Sequence, residues 1–167
     1  MRVEEINESE SQYSTSPQPI GDAPPPAEDV KHIPHRSFLE GGLLKGQTAI
    51  IKAISTIDGQ RFSVNLQSGE HEGCEIPLHI SVRFDENKVV FNTFNHGEWG
   101  KEEREFLPIR KGDNFDLRIK AEDNYYQIFF NREKFHRYEF RLPANQATVV
   151  SLEGDVVVHS VTTSFYA

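Results

Sequence analysis

The chain has 167 residues, with 18 Lys and Arg against 26 Asp and Glu, a formal net charge of −8 and an isoelectric point near 5.4. That length suits one ordinary domain plus a tail, not two full sandwiches, and the acidic balance argues against nucleic acid or an anionic membrane as the main partner. A single cysteine, Cys74, excludes an internal disulfide framework and fits a reducing compartment.

Residues 1–36 form a segment of their own. Pro17, Pro19, Pro24, Pro25, Pro26 and Pro34 are six of the chain's 9 prolines, and seven acidic residues (Glu4, Glu5, Glu8, Glu10, Asp22, Glu28, Asp29) face three basic ones (Arg2, Lys31, Arg36). Apolar residues are too sparse to offset the entropy of ordering, which predicts a disordered, Pro-rich acidic tail. A solvating tail and a self-association or partner-docking arm both fit. The N-terminus lacks the basic-then-apolar layout of a signal peptide, and no apolar run approaches the ~18–20 residues of a membrane span. The expectation is a cytoplasmic product without membrane insertion.

From residue 37 to residue 167, short runs recur at the spacing of an all-β sandwich. Phe62, Val64 and Leu66 alternate with Arg61, Ser63 and Asn65. Phe115, Leu117 and Ile119 alternate with Asp116, Arg118 and Lys120, and His136, Tyr138, Phe140 and Leu142 with Arg137, Glu139 and Arg141. Tyr125 to Phe130 reads as a strand that Asn131-Arg132-Glu133 turns back, and Val149 to Leu152 and Val156 to Val161 flank a turn at Glu153-Gly154-Asp155. No stretch has a convincing helical period. The pattern predicts two antiparallel sheets packed face to face, with helix content near nil.

The stretch from His79 to Arg104 carries the chemistry. It holds the single tryptophan, Trp99, between Gly97 and Gly100. Period-2 alternation puts His79, Ser81 and Arg83 on one strand face and Leu78, Ile80, Val82 and Phe84 on the other. Asp85-Glu86-Asn87-Lys88 is turn chemistry, so Val89 to Phe94 pairs back with Asn92 beside that first row. After a loop from Asn95 to Glu98, Glu102 and Arg104 share a strand face again. Three neighbouring strands thus present imidazole, guanidinium, amide and carboxylate groups beside one indole. A ligand covered in hydroxyls needs donors and acceptors side by side. Arg and Glu two residues apart can hold each other's planar groups in place, and the CH-rich face of a pyranose packs on an indole. The glycines leave that ring face uncluttered. This inventory points to a sugar.

The same residues resemble the recognition signature of the galectins, the β-galactoside-binding lectins, whose pattern is H-x-N-P-R, then V-x-N, then W-x-x-E-x-R. The corresponding positions are His79-Ile80-Ser81-Val82-Arg83, Val90-Phe91-Asn92 and Trp99-Gly100-Lys101-Glu102-Glu103-Arg104. Phe62 to Leu66 followed by Gly69, Leu107-Pro108 with Gly112-Asp113, and Gly154-Asp155-Val156 are similar to further family segments. The resemblance implies a galectin-like jelly-roll sandwich with one carbohydrate site made of His79, Ser81, Arg83, Asn92, Trp99, Glu102 and Arg104. It implies β-galactosides on glycans, glycoproteins or glycolipids as partners, without cofactor or metal. It also implies export by a route independent of a signal peptide, and leaves a homodimer open.

Two departures bear on the site: Ser81 stands where the family has Asn, and Val82 where it has Pro. Serine offers one hydroxyl where Asn offers an amide, which weakens or redirects binding of the axial hydroxyl that marks galactose. That leaves open a galectin-fold protein acting mainly through protein partners. Arg132 stands where the family commonly has Gly, in a hairpin remote from the site. The histidines are scattered without metal-ligand spacing. Glu98 and Glu102 are a poor glycosidase pair, because Arg104 holds Glu102 ionised. No enzymatic activity is expected.

Overall fold

The computed structural model describes residues 35–165. The tail expectation falls almost wholly on residues outside these, but the first strand already begins at His35, two residues before the boundary read from composition.

Among the described residues twelve strands follow in chain order: β1 (His35–Phe38), β2 (Thr48–Ser55), β3 (Arg61–Gln67), β4 (Ile76–Arg83), β5 (Lys88–Asn95), β6 (Glu98–Trp99), β7 (Glu103–Phe106), β8 (Asn114–Ala121), β9 (Tyr125–Phe130), β10 (Glu133–Glu139), β11 (Val149–Gly154) and β12 (Val156–Ser164). The only helical piece among the described residues is a three-residue 3-10 turn, Ala144–Gln146. One sheet has the order β1-β11-β3-β4-β5-β6, with β7 also pairing with β5; the other has the order β10-β9-β8-β2-β12. All pairings are antiparallel. The sandwich fold is as the alternation predicts.

The apolar halves of the alternations meet between the sheets, where they leave water. Phe62, Val64, Leu66, Leu78, Ile80, Val82 and Phe91 come from one sheet; Ile51, Phe115, Leu117, Ile119, Tyr126 and Ile128 come from the other, and all are buried. Phe62 and Phe115 stack with ring centres 5.3 Å apart. Because these residues face inward, their strand neighbours His79, Ser81 and Arg83 must face outward.

Two details differ from the sequence reading. The loop expected from Asn95 to Glu98 is a two-residue hairpin: Asn95 pairs with Glu98, and His96 and Gly97 both take positive φ (55° and 76°). Gly97 therefore serves the turn as well. The turn expected at Glu153-Gly154-Asp155 is present and carries the chain from one sheet to the other. Asp155 anchors it, its Oδ2 accepting from the Gln60 and Arg61 amides at 2.8 and 3.3 Å. The strand expected from the His136 to Leu142 alternation is shorter than read, since β10 ends at Glu139. At the β9–β10 turn, Arg132 sits at φ 68° behind Asn131 at 52°. This left-handed geometry costs a side-chain-bearing residue roughly 1–2 kcal/mol that glycine avoids.

Candidate carbohydrate site

The outward face of the β1-containing sheet is built by register. His79 pairs with Asn65 on one side and Asn92 on the other. Ser81 pairs with Ser63 and Val90, and Val90 in turn with Arg104. Directly opposed residues project to the same face about 4.5–5.5 Å apart. Polar side chains from β3, β4, β5 and β7 thus form one patch. Glu102 lies just before β7 rather than within it, yet its carboxylate reaches the same patch.

Each planar group there is oriented by a protein partner. The His79 Nδ1 donates to Asn65 Oδ1 at 2.6 Å. Burial, with the nearby Arg83 guanidinium, pushes His79 down to about 4, against an opposing pull from Glu102. At neutral pH the ring is uncharged, and Nε2 is left as an acceptor. Arg83 Nε donates to Ser81 Oγ at 3.1 Å, and its Nη atoms lie 3.3 Å from Glu86 and 4.0 Å from Glu102. Arg104 grips Glu102 Oε1 with Nε and Nη2 at 3.1 and 2.7 Å. This contact, together with the Arg83 charge, holds the Glu102 carboxyl below its usual range, as an ionised acceptor.

Asn92 is more constrained than the sequence suggests. Its Oδ1 accepts from the Thr93 amide at 2.8 Å and from Arg141 Nη1 at 3.2 Å, while Nδ2 donates to Gly100 O at 2.9 Å. With both lone pairs occupied, it can only donate, through its second N–H. Trp99 is 49% exposed, its ring 4.7 Å from that of His79 and 5.1 Å from that of Phe94. At Gly100 a Cβ would also crowd Arg141, lying 3.0 Å from its Nη1. Two shallow clefts flank His79. One, of about 380 Å³, is bounded by Arg61, Ser63, Ser81 and Glu153; the other, of about 630 Å³, by Asn65, Gln67, Glu70 and Trp99. All seven residues expected in the site lie on or beside one surface.

The sequence reading missed two participants. Asn65 was read as an alternating strand position within a family-like segment, not as part of the site, and Glu86 only as turn chemistry. Glu86 bridges three arginines, with Oε1 at 3.3 Å from both Arg83 and Arg104 and Oε2 at 2.7 Å from Arg61. Its spacing three residues after Arg83 was the available signal.

The family model for galactoside-binding lectins matches residues 34–163. The chain belongs to that family. It is 50% identical over 133 residues to a 32 kDa beta-galactoside-binding lectin of Haemonchus contortus, covering 78% of this chain and 47% of the relative. A lectin of the same description from Caenorhabditis elegans is 46% identical over 131 residues, covering 77% and 47%. The chain therefore spans about half the length of these curated relatives. The crystal structure of the Caenorhabditis elegans galectin LEC-6 superposes with a TM-score of 0.72 at 28% identity, covering 78% of this chain and 90% of that one. The family consists of carbohydrate-binding, non-catalytic proteins, and this galectin domain is a binding module rather than an enzyme. No helix among the described residues is long and apolar enough to cross a membrane.

The state of His79 has a measurable consequence for stability. The unfolded chain takes up its proton near the ordinary value of 6.5, the folded galectin domain only near 4. In that window the folded state binds fewer protons than the unfolded state, so stability falls as pH falls through it. Thermal melts from pH 7 to pH 4 should decline less steeply for His79→Gln than for the parent. Parallel declines would contradict a neutral, desolvated His79.

Proposed function

We propose that this domain binds β-galactoside-terminated glycans on glycoproteins or glycolipids, with His79, Arg83, Asn92, Glu102 and Arg104 as the hydrogen-bonding set and Trp99 as the stacking platform. One observation carries the reading: the polar groups beside the exposed indole are pre-oriented by protein partners, yet each keeps a donor or acceptor valence beyond those the protein bonds take up. His79 Nε2 and the Glu102 carboxylate accept; Asn92 Nδ2, Arg83 and Arg104 donate. A sugar hydroxyl both donates and accepts, so this mixed set meets its needs without reorganisation. The beta-galactoside-binding description of the nematode relatives supports the same ligand class.

Ser81 favours a second reading in which galactose affinity is weakened or redirected. Its Oγ already accepts from Arg83, and the one O–H and one lone pair that remain sit on a side chain shorter than the family's Asn. An Asn at this position can accept from Arg83 and still offer an N–H. One additional good hydrogen bond is worth roughly 0.5–1.5 kcal/mol, up to about tenfold in affinity. The test is chromatography on immobilised lactose. The parent should be retained and eluted by free lactose, and Ser81→Asn should be retained longer. A folded parent that flows through contradicts the galactoside reading, and a Ser81→Asn variant no tighter than the parent removes Ser81 as a weakening feature.

A further inference from the structure

Asn92 is held by a residue from the other sheet's half of the chain. Arg141, two positions beyond β10, passes Nη1 to Asn92 Oδ1 at 3.2 Å and Nη2 to Glu103 Oε2 at 3.2 Å, while its guanidinium lies 4.8 Å from the centre of the Tyr138 ring. The route is open because residue 100 lacks a side chain, as a Cβ there would meet Nη1 at 3.0 Å. Glu103 is fixed in turn by His136, whose Nε2 lies 2.8 Å from Oε1 and whose Nδ1 lies 2.9 Å from Glu105 Oε2. The imidazole stacks on Phe91 with ring centres 4.2 Å apart and planes within 13°. β10 also braces the next residue of β5, through the Tyr138 hydroxyl at 2.7 Å from Thr93 Oγ1.

We infer that Arg141 is a positioning residue for the Asn92 amide, and this rests on the galactoside reading above for its functional consequence. An amide can present either its oxygen or its nitrogen to a given side. With Thr93 N–H and Arg141 Nη1 both directed at Oδ1, reversing the amide would set Nδ2 against two donors and leave them without an acceptor. Arg141 thus joins the Thr93 amide and the Gly100 carbonyl in fixing which end of Asn92 faces the ligand: a donor, suited to the oxygen of a sugar hydroxyl. Glu103 and His136 keep the guanidinium at the correct reach. No residue of this relay need touch the sugar.

Two readouts on the full chain test the assignment. The first needs no sugar. In a ¹⁵N spectrum, the Asn92 side-chain NH₂ pair, assigned as the pair missing in Asn92→Ala, should shift or broaden in Arg141→Ala and in Glu103→Gln. The second is lactose affinity in a double-mutant cycle. Arg141→Ala should weaken binding about three- to tenfold, the loss of one hydrogen bond's worth of positioning, with little further loss in the Asn92→Ala background. Arg141→Lys, which supplies a point charge without the planar fork, should recover only part of the loss. An unmoved Asn92 amide, or an equal loss in both backgrounds, overturns the assignment. A parent protein that ignores lactose contradicts the galactoside reading alone, because the amide signals still report on Arg141.

Discussion

Arg83→Ala is expected to abolish retention on immobilised lactose. The guanidinium sits at the centre of the patch, contacting Ser81 and Glu86 and standing 4.0 Å from Glu102. Its removal loses donors directed at the ligand and also frees Ser81, Glu86 and Glu102 from a common partner. Charge-assisted hydrogen bonds are worth roughly 1.5–3 kcal/mol each. Losing two of them weakens binding by roughly 100-fold or more, which takes a millimolar site out of range. Arg83 lies on the outward face, with the core strands packed behind it, so the melting temperature should change far less than the affinity. A folded Arg83→Ala protein retained like the parent contradicts the site assignment.

Trp99→Ala is expected to weaken lactose binding by about ten- to 100-fold, the range for losing the apolar and CH–π contact of one large aromatic ring, while Trp99→Phe keeps part of it. Trp99 is 49% exposed and its ring contacts are with His79 and Phe94 at the edge strand β6. Stability should hardly change. A second effect is separable by NMR: with the indole gone, His79 loses part of its desolvating cover, so its titration should move up from about 4 toward the ordinary value. Unchanged affinity in Trp99→Ala would place the ligand elsewhere on the face.

The residues that were legible in the sequence are those whose meaning is local. His79, Ser81 and Arg83 declare themselves because Leu78, Ile80 and Val82 alternate with them, and burying one set forces the other outward. Asn92 follows from the hairpin at Asp85 to Lys88, which sets the pairing of β4 with β5. Glu86, by contrast, is a long side chain leaving a turn. Turn chemistry gives its backbone, not the three strands its carboxylate spans. Asn65 needs the β3–β4 register before its place opposite His79 is visible. Arg141 is 49 residues from Asn92, and only the packing of β10 against the β5 margin brings the two together. The turn at Glu153 to Asp155 was legible because a Gly beside an Asp signals a turn; which sheet the next strand joins was not, being decided by long-range pairing.

The most direct test of a galactoside site organised around Trp99 is the fluorescence of that tryptophan. Because it is the only one in the chain, every change in indole emission on titration reports this position. Lactose taken to millimolar concentrations should produce a saturable change, and sucrose at the same concentrations should not; a site with Kd of 1 mM corresponds to about −4 kcal/mol. A flat lactose response from folded protein, or an equal response to sucrose, would contradict a galactoside site at this surface.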